Sequence, residues 1–413
     1  MTPSSRLQQV SGHLGGANSS NIPTKIGVKS PEDVVIVSAL RTAITRARKG
    51  GFKASLPEDM LAGVFKTMLN QTKIDPALVN DICVGTVLAQ GGLATNSRMA
   101  ALYAGFPEST SVGTVNRQCS SGLQAVVQIA SAIQTGLIDI GIGAGTESMT
   151  LNYGATSMSP TSDTIADDCE SAADCTLPMG ITSENVAAEF KVSREKQDAF
   201  SAESHRKADQ AQKNGWFKSE IVPVEVTVED KDGNETKVIV DHDDGVRPGT
   251  TAEKLSQLAP AFDDEGSTTA GNASQVSDGA AAVLLMKRKT AEKLGLPILG
   301  KYITSAVVGV PPRIMGVGPA YAIPAAVEKA GITIKDVDLF EINEAFASQA
   351  VYSIEKLNIP AEKVNIHGGA IALGHPLGCT GARQIATLFP ALQRQGKNVG
   401  VTSMCIGTGM ARI

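Results

Sequence analysis

Apolar and polar positions follow two alternating periods in the first part of the chain, and these periods predict strands and helices in turn. Residues 34–37 form an unbroken β-branched run that is typical of a buried strand, and residues 56–69 carry apolar side chains at helical spacing. Further predicted strands lie at 81–88, 114–115 and 138–145, and further helices at 96–105 and 122–133. This alternation predicts an α/β fold on a mostly parallel sheet that helices cover on both faces.

The pattern changes after residue 149. Residues 149–173 are rich in Ser, Thr, Asp, Asn and Gly and predict a loop, whereas 193–214 predicts a charged helix. Predicted strands at 221–228 and 236–240 flank Asp232-Gly233, a pair that favours a hairpin turn. We interpret this stretch as an inserted subdomain because it lacks the earlier rhythm.

The rhythm returns at 279–286 and starts over near residue 301. Both halves place a reactive loop directly before a helix, at Cys119 and at Cys379, which indicates an internal duplication. The later predictions are strands at 303–309, 338–341 and 399–405 and helices at 318–330, 345–357 and 381–393. The predicted segments are a tail at 1–32, a first half at 33–149 with 277–300, the inserted subdomain at 150–276 and a second half at 301–413.

Composition favours a globular enzyme. The 413 residues are 42% hydrophobic and 19% charged and include 41 Gly, which suits a glycine-rich α/β enzyme. A net charge of −5 and an aromatic content of 4% argue against binding to nucleic acid or to an anionic membrane. No apolar run approaches the roughly 20 residues of a membrane span, and the N-terminus lacks the apolar core of a secretory signal.

Six cysteines are present, and their spacing matches neither a disulfide framework nor a zinc site. We therefore expect no metal and a compartment that is reducing or at least non-secretory. Cys119 has the most informative position, since it precedes a predicted helix whose N–H groups and dipole would favour the thiolate. The alternative is an inert core cysteine, because free Cys is among the most buried residue types.

Three C-terminal residues could cooperate with such a thiol. His375 lies in a glycine-rich loop at 368–381, and its imidazole could take the thiol proton, although a structural histidine is the alternative. Cys405 ends a predicted strand and is followed by glycines such as Gly407, whose N–H groups can face an oxyanion. Asn343 lies where a strand gives way to a helix, where it could equally be a helix cap.

The tail contains a possible address signal. Arg6, Leu7, His13 and Leu14 resemble the type-2 peroxisomal targeting signal, in which five residues separate a basic-aliphatic pair from His-Leu. The resemblance implies an import receptor and the peroxisomal matrix. A chance match in a flexible tail is the alternative, because only four positions are fixed.

Together these segments resemble the active-site signatures of the thiolase family. The four matching segments are 116–122 (NRQCSSG), 343–346 (NEAF), 374–376 (GHP) and 405–407 (CIG), and 271–279 (GNASQVSDG) matches a further motif. The resemblance covers nearly all of the chain from residue 33. Residues 178–187 are similar to the degradative, peroxisomal branch, since biosynthetic members usually carry His in place of Pro178.

The resemblance implies a five-layered α-β-α-β-α sandwich of two duplicated halves, with the inserted loop subdomain over the active site. It also implies a homodimer without a permanently bound cofactor, which uses coenzyme A (CoA) as a co-substrate. The implied reaction is the thiolytic cleavage of a 3-ketoacyl-CoA by CoA, which yields acetyl-CoA and a shortened acyl-CoA.

The resemblance also implies residue roles. Cys119 is the nucleophile, His375 the base and an oxyanion donor, and Cys405 the second proton carrier. Asn343 holds a water for the first oxyanion hole, and the N–H of Gly407 belongs to the second. The implied contacts to CoA or substrate are Ser274 at the pantetheine, Met179 along its tunnel, Arg247 near the nucleotide phosphates, and Phe346.

Three other interpretations remain open. A biosynthetic acetoacetyl-CoA thiolase shares the same machinery. A decarboxylating condensing enzyme of the ketoacyl-synthase type shares the fold, but typically pairs its Cys with two His or with His and Asn. A non-catalytic lipid-binding or acyl-CoA-binding relative would be expected to lose Cys119 or Cys405, and both are present.

The C-terminal segment departs from the family pattern. Thiolases usually continue from the last glycine motif into a further apolar strand, whereas here Gly409 is followed by Met-Ala-Arg-Ile. Arg412 falls where apolar residues are expected. We expect a shortened last strand that leaves a neighbouring strand partly unpaired.

Overall fold

The computed structural model describes residues 26–154, 157, 159–229 and 233–413. The four predicted targeting residues, Arg6, Leu7, His13 and Leu14, lie outside these ranges, as does Asp232 of the predicted turn. Among the described residues, every helix is too short or too polar to cross a lipid bilayer.

The described residues form strands and helices close to the predicted positions. The strands are β1 (Val34–Thr42), β2 (Thr45–Arg46), β3 (Asp81–Gly85), β4 (Ser111–Val115), β5 (Ile140–Ser148), β6 (Ile221–Val222), β7 (Val224–Glu229), β8 (Glu235–Val240), β9 (Ser277–Lys287), β10 (Gly300–Lys301), β11 (Val307–Gly309), β12 (Leu339–Ile342), β13 (Gly400–Ile406) and β14 (Met410–Arg412). The helices are α1 (Pro57–Thr72), α2 (Ala94–Ala104), α3 (Ser121–Thr135), α4 (Asp163–Asp168), α5 (Glu170–Ala173), α6 (Met179–Phe190), α7 (Arg194–Lys213), α8 (Ala252–Ser256), α9 (Arg288–Lys293), α10 (Pro319–Lys329), α11 (Ala347–Leu357), α12 (Ala370–Leu373) and α13 (Leu377–Gln395).

The first sheet has the strand order β10-β1-β9-β5-β3-β4. Every residue of β1 is buried, as the β-branched run predicts. The prediction of a mostly parallel sheet is wrong, because β9 runs antiparallel to both β1 and β5, and among the described strands parallel pairing is limited to β5-β3-β4 and to the two-residue β6 beside β1. The apolar run of β9 predicts burial but contains no information about direction.

The second sheet has the order β11-β14-β13-β12, and it repeats the path β1-β9-β5-β3 of the first. In these two paths the second strands, β9 and β14, are antiparallel to both of their neighbours, and the last pairs, β5-β3 and β13-β12, are parallel. The helices α3 and α13 directly precede β5 and β13, which are equivalent in the two paths. This repeated topology confirms the predicted duplication.

The two sheets and three sets of helices form five layers. Helices α1 and α2 pack on the outer face of the first sheet, and α10 and α11 pack on the outer face of the second. Helices α3 and α13 lie between the sheets, where α13 contacts β9 on one side and β12 and β13 on the other. The predicted α-β-α-β-α architecture is therefore confirmed.

The inserted segment departs from its prediction in two places. Helices α4 and α5 lie within 149–173, which we predicted as a loop. The predicted strand at 221–228 is divided at Pro223: β6 joins the first sheet beside β1, whereas β7 pairs with β8 in a separate hairpin. Proline has no N–H to donate to a ladder, so the chain changes sheets there.

A buried ionic cluster joins the inserted segment to the first sheet. The Arg41 guanidinium of β1 contacts Glu220 Oε1 and Asp243 Oδ1 at 2.7 Å each, and all three side chains are buried. Thr387 of α13 donates to the same Glu220 oxygen at 2.9 Å. Moving the inserted segment away from the sheet or from α13 would leave an uncompensated buried charge. The cluster therefore fixes the inserted segment against both.

The C-terminal strand pairs along only part of its neighbours. The predicted strand at 303–309 is observed as β11 alone, because β14 reaches no further than Val307 and Ile413 adds a single bond to the Ala306 carbonyl. An apolar cavity of about 150 Å³ lies beyond, lined in part by Ile303, Val401 and Ile413. Strand β13 and the predicted strand at 303–309 are thus only partly paired with β14, as expected.

Arg412 is accommodated in this region although an apolar side chain was expected. It is buried, and its guanidinium donates to the side chains of Gln124 and Ser305. A long polar side chain is tolerated there because acceptors on α3 and on the segment before β11 face it.

Candidate active site

Cys119 lies on the loop between β4 and α3. The helix begins at Ser121 with Ser120 as its N-cap, so Cys119 precedes the helix instead of occupying its first turn. The loop is fixed by its own side chains. Asn116 donates to the Val87 carbonyl at 3.0 Å and accepts from the N–H of Gln118 at 2.9 Å. Gln118 has a φ of 46°, the left-handed conformation that places the next residue above the sheet.

His375 lies between α12 and α13. Its backbone N–H donates to Ser277 Oγ at 2.8 Å, and the preceding Gly374 has a φ of 110°. A Cβ on Gly374 would lie 2.5 Å from that same hydroxyl, so the loop requires glycine. The imidazole is buried, with Nε2 3.3 Å from Asn343 Nδ2 and Nδ1 2.6 Å from Thr380 Oγ1.

Glycines allow the loops that carry Cys119 and His375 to meet. A Cβ on Gly122 of α3 would lie 2.5 Å from the Gly378 carbonyl oxygen at the start of α13. A Cβ on Gly145 of β5 would lie 2.0 Å from the same oxygen. The first turns of both central helices can therefore rest on β5, and the duplicated halves bring their reactive loops together over one sheet.

Cys405 and Gly407 reach the same place from the end of β13. Cys405 is fully buried, and the Gly407 N–H forms a hydrogen bond with the Cys119 sulfur that lowers the pKa of that thiol. Burial raises the pKa of Cys405, and the neighbouring Cys119 sulfur raises it further. The structure thus places Cys119 beside Cys405 and Gly407 and pairs His375 with Asn343, and the contact of Gly122 with Gly378 joins the loops that carry Cys119 and His375.

The expectation of a thiolate at Cys119 is wrong for the resting enzyme. Burial raises the pKa of Cys119, and the buried carboxylate of Glu147 raises it further, so these effects exceed the lowering by the N–H groups of Gly407 and of Cys119 itself. Cys119 precedes the helix and receives less of the helix dipole than a first-turn residue would. Cys119 is therefore a thiol at neutral pH, and it would need a base to act as a nucleophile.

His375 is suited to that task. Burial, together with the positive charge of Arg383, lowers the pKa of His375 to about 3. The ring is therefore neutral at physiological pH and has a free nitrogen for a proton. Arg383 itself is buried and paired with Glu341 at 3.0 Å, so its charge is held in place beneath the histidine.

Asn343 is not the helix cap that was weighed as an alternative. Helix α11 begins at Ala347 with Phe346 as the N-cap, whereas Asn343 follows β12 and contacts His375. Its Oδ1 is buried and accepts no hydrogen bond from the described residues. A buried carboxamide with one unused acceptor is suited to holding a small polar ligand.

Three of the four predicted CoA contacts lie around Cys405. Phe346 packs in one cluster with Cys405, Ala345 and Met315, and Met179 packs against that cluster. Ser274 is half-buried, and its N–H donates to the Ala345 carbonyl at 2.9 Å. Arg247 differs because it is exposed. The hydrogen bonds described for it involve its backbone: its N–H donates to His205 Nδ1, and its carbonyl accepts from Thr250 Oγ1.

Two buried glutamates connect the loops of the site, and the sequence analysis missed both. Glu147, at the end of β5, accepts from the backbone N–H groups of Val87, Leu88 and Gly378. It therefore ties the loop that holds Asn116 to the start of α13. Burial raises the pKa of Glu147 to about 7.

Glu344, the second of these glutamates, connects two other segments. It accepts from Ser204 of α7, Asn365 and the Ile371 N–H of α12, all within 3.1 Å. It thereby ties the inserted segment to the short helix before His375. Its position next to Asn343 in the NEAF segment was the only available signal, and that signal contained no information about partners.

The arrangement supports covalent acyl transfer. The Cys119 thiol lies beside a second thiol, Cys405, and the Gly407 N–H, and the loop that carries the neutral His375 ring meets the start of the helix that follows Cys119. In the described part of the chain no three His, Cys, Asp or Glu side chains are grouped so that they could hold a metal ion.

Comparison with known proteins supports the same chemistry. Residues 34–289 match the family described as thiolase, N-terminal domain, and residues 296–413 match thiolase, C-terminal domain. The chain is 57% identical over 382 residues to the peroxisomal 3-ketoacyl-CoA thiolase of Yarrowia lipolytica, which covers 92% of each chain.

Two crystal structures from Saccharomyces cerevisiae are also similar. The dimeric peroxisomal thiolase superposes with a TM-score of 0.87 at 50% identity, over 93% of this chain and 97% of that one. A second structure, of peroxisomal 3-ketoacyl-CoA thiolase, is described as five-layered and built from two core domains of identical topology. It gives a TM-score of 0.77 at 44% identity, over 94% of this chain and 98% of the other.

Proposed function

The chain belongs to the thiolase family, and it catalyses the thiolytic cleavage of 3-ketoacyl-CoA in peroxisomal β-oxidation. We propose that Cys119 carries the acyl group in this reaction. The observation that carries this assignment is that two buried thiols, Cys119 and Cys405, are neighbours and that the loop of the neutral, buried His375 meets the start of the helix after Cys119. Neither a condensing enzyme nor a non-catalytic relative is favoured, because Cys405 occupies the second acid-base position.

The first half-reaction breaks a carbon–carbon bond. His375 Nε2 takes the proton of the Cys119 thiol, and the sulfur attacks the 3-keto carbon. The bond between C2 and C3 of the substrate then breaks, and its electron pair forms the enolate of acetyl-CoA. Cys405 donates its proton to the enolate carbon, which leaves an acyl group on Cys119 and a thiolate on Cys405.

The second half-reaction returns every proton. The Cys405 thiolate takes the thiol proton of CoA, and the CoA sulfur attacks the acyl carbon on Cys119. The shortened acyl-CoA leaves, and the Cys119 sulfur recovers its proton from His375. Cys405 is again a thiol, so the cycle consumes one CoA and no net proton.

Oxyanion stabilisation is assigned to two sets of donors. The protonated Nε2 of His375, with a water held by the unused Oδ1 of Asn343, would stabilise the thioester enolate. The N–H groups of Gly407 and Cys119 already face the Cys119 sulfur and would meet the oxygen of the attacked carbonyl. Loss of one such donor typically costs ~10²–10³ in rate.

This proposal is tested by a single turnover without CoA. Mixing the enzyme with a 3-ketoacyl-CoA should release about one acetyl-CoA per site and leave a shortened acyl group on the peptide that contains Cys119, which mass spectrometry detects. Later addition of CoA should release that acyl group as acyl-CoA. A series of substrates of increasing chain length then shows which acyl group the site prefers. Release of acetyl-CoA without any protein-bound acyl group would contradict the covalent route.

We infer the remaining partners from the relatives. CoA is the co-substrate, and residues 150–276 form the subdomain that binds it, since Met179 and Ser274 come from this segment. A homodimer is supported by the dimeric structure at 50% identity. Recognition by an import receptor through Arg6, Leu7, His13 and Leu14 stays a prediction.

Arg247 allows a direct test of the CoA assignment. If its guanidinium meets the nucleotide phosphates, Arg247→Ala should raise the KM for CoA about 3- to 10-fold and leave kcat unchanged, because exposed charged contacts contribute little. Steady-state kinetics with CoA as the varied substrate would measure this. Lys254→Ala is the matched control, since Lys254 is an exposed cation in the same segment. An unchanged KM would remove Arg247 from the CoA site.

A further inference from the structure

The His375 ring is held at both nitrogens. On one side Nδ1 lies 2.6 Å from Thr380 Oγ1, and on the other Nε2 lies 3.3 Å from Asn343 Nδ2. Thr380 is fully buried on the first turn of α13. Its hydroxyl makes a second hydrogen bond, donating to the Pro376 carbonyl at 3.0 Å.

The number of available hydrogens determines the direction of these bonds. A threonine hydroxyl has one hydrogen, and here the Pro376 carbonyl receives it, since a carbonyl can only accept. Thr380 Oγ1 must therefore accept from Nδ1–H of His375. At the other nitrogen an amide NH₂ can only donate, so Nε2 must accept from Asn343. Both contacts require the tautomer with hydrogen on Nδ1 and a lone pair on Nε2.

We propose that Thr380 is a positioning residue that holds neutral His375 in its Nδ1–H tautomer and so keeps the lone pair on Nε2, the nitrogen that takes the Cys119 proton in the proposed reaction. The consequence for catalysis rests on the proposed function, whereas the tautomer itself does not. When Nε2 takes the thiol proton, the Nδ1–H bond to Thr380 is kept, whereas the Asn343 amide has to turn, because its NH₂ cannot face a protonated Nε2 and its unused Oδ1 can.

A hydroxyl suits this position better than a carboxylate would. A carboxylate beside Nδ1 would stabilise the imidazolium and keep the proton on the ring. The neutral Thr380 acceptor orients the ring without that effect, and Arg383 instead opposes the charged form. The proton can therefore return to the Cys119 sulfur at the end of the cycle.

The backbone of the histidine loop is held independently of Thr380. The His375 N–H donates to Ser277 Oγ at 2.8 Å and to the Gln275 carbonyl at 3.1 Å. Thr380 N–H donates to Pro376 within α13 and does not depend on the side chain. Removing the hydroxyl should thus release the ring while leaving the loop in place, which separates positioning from general stability.

The experiment compares Thr380→Val, which replaces the hydroxyl by a methyl group of similar size, with Thr380→Ser, which keeps the hydroxyl. We expect Thr380→Val to lower kcat about 10- to 100-fold, part of the ~10²–10⁴ that a positioned base contributes, and to slow alkylation of Cys119 by iodoacetamide at neutral pH. The KM for CoA should not change. Thr380→Ser should stay within about 3-fold of the wild type in both measurements.

The tautomer is read directly from ¹⁵N chemical shifts of imidazole-labelled wild-type enzyme. A protonated Nδ1 and an unprotonated Nε2 are expected for His375, whose signals are assigned with His375→Gln. The opposite tautomer would overturn the proposal even if Thr380→Val failed to fold. Full kcat and unchanged alkylation in a folded Thr380→Val would overturn it as well. If the expected tautomer is found but the single turnover leaves no acyl group on Cys119, the proposed function fails and the role of Thr380 in holding the ring stands.

Discussion

Cys119→Ala is expected to abolish thiolysis, with kcat reduced by on the order of 10⁴–10⁶-fold, as for removal of other covalent nucleophiles. The reason is chemical, because no other group beside His375 can accept the acyl fragment. Cys405 lies nearby, but burial raises its pKa in the variant as in the wild type, which makes it a poor nucleophile at neutral pH. The measurement is a single turnover with 3-ketoacyl-CoA, followed by mass spectrometry of the protein.

Cys83→Ala is the matched control for this variant. Cys83 is also a buried thiol of the first half, but it lies on β3 and contacts Oε1 of Gln128, a residue in the middle of α3, at 3.1 Å. Its removal should leave both the acyl adduct and the rate near those of the wild type. Recovery of a labelled acyl group on Cys119→Ala, at any peptide and at the wild-type rate, would transfer the nucleophile role to another residue.

Much of the fold follows from local patterns in the sequence. The β-branched run of β1 and the helical spacing of α1 predict buried elements because burial depends mainly on which side chains are apolar. The duplication was visible as two reactive loops that each precede a helix. Strand direction was not visible, since β9 returns to the sheet after an insertion of more than a hundred residues and its apolar run would fit either direction.

The site was predicted in its members but not in its electrostatics. Local sequence context and the resemblance to thiolases identified Cys119, His375, Asn343 and Cys405, and the structure pairs Cys119 with Cys405 and His375 with Asn343. The protonation state expected for Cys119 was wrong because desolvation depends on what packs around the thiol, and that packing includes residues from the ends of β5 and β13. Glu147 was missed because its partners, the N–H groups of Val87, Leu88 and Gly378, come from distant segments. Thr380 was missed although its partners, His375 and Pro376, are near it in sequence, because only the turn of the chain into α13 brings its hydroxyl to the ring.

Glycine positions connect the fold to the geometry of the site. Strand β5 contains Gly141, Gly143 and Gly145, and the structure shows what approaches the last of them. The Gly378 carbonyl would lie 2.0 Å from a Cβ at Gly145. A Gly145→Ala change would therefore push the start of α13, and with it the loop of His375, away from β5. The position of the histidine loop thus depends on a residue that has no reactive group of its own.

Cys405→Ser is expected to lower kcat for thiolysis by about 10²–10⁴-fold while Cys119 remains reactive, because a positioned acid-base group contributes an effect of that size. Serine has a far higher pKa than cysteine, so it can neither donate a proton readily to the enolate nor take one from CoA. The carbon–carbon step should suffer more than acyl exchange with CoA. A CoA thiolate can leave without a proton, whereas an acetyl-CoA enolate has no comparable stability outside the oxyanion hole.

Two exchange reactions of acetyl-CoA separate these steps in Cys405→Ser. Exchange of its methyl hydrogens in deuterated water requires the second acid-base group and should be lost, whereas acetylation of Cys119 by acetyl-CoA should persist at a reduced rate. Cys175→Ser is the matched control, since the Cys175 thiol lies 3.9 Å from the Thr408 carbonyl beside the same glycines, and we expect both exchanges to continue in it. If Cys405→Ser exchanged its methyl hydrogens at the wild-type rate, the proton would have to be carried by His375 or by water, and Cys405 would only fill space beside the acyl group.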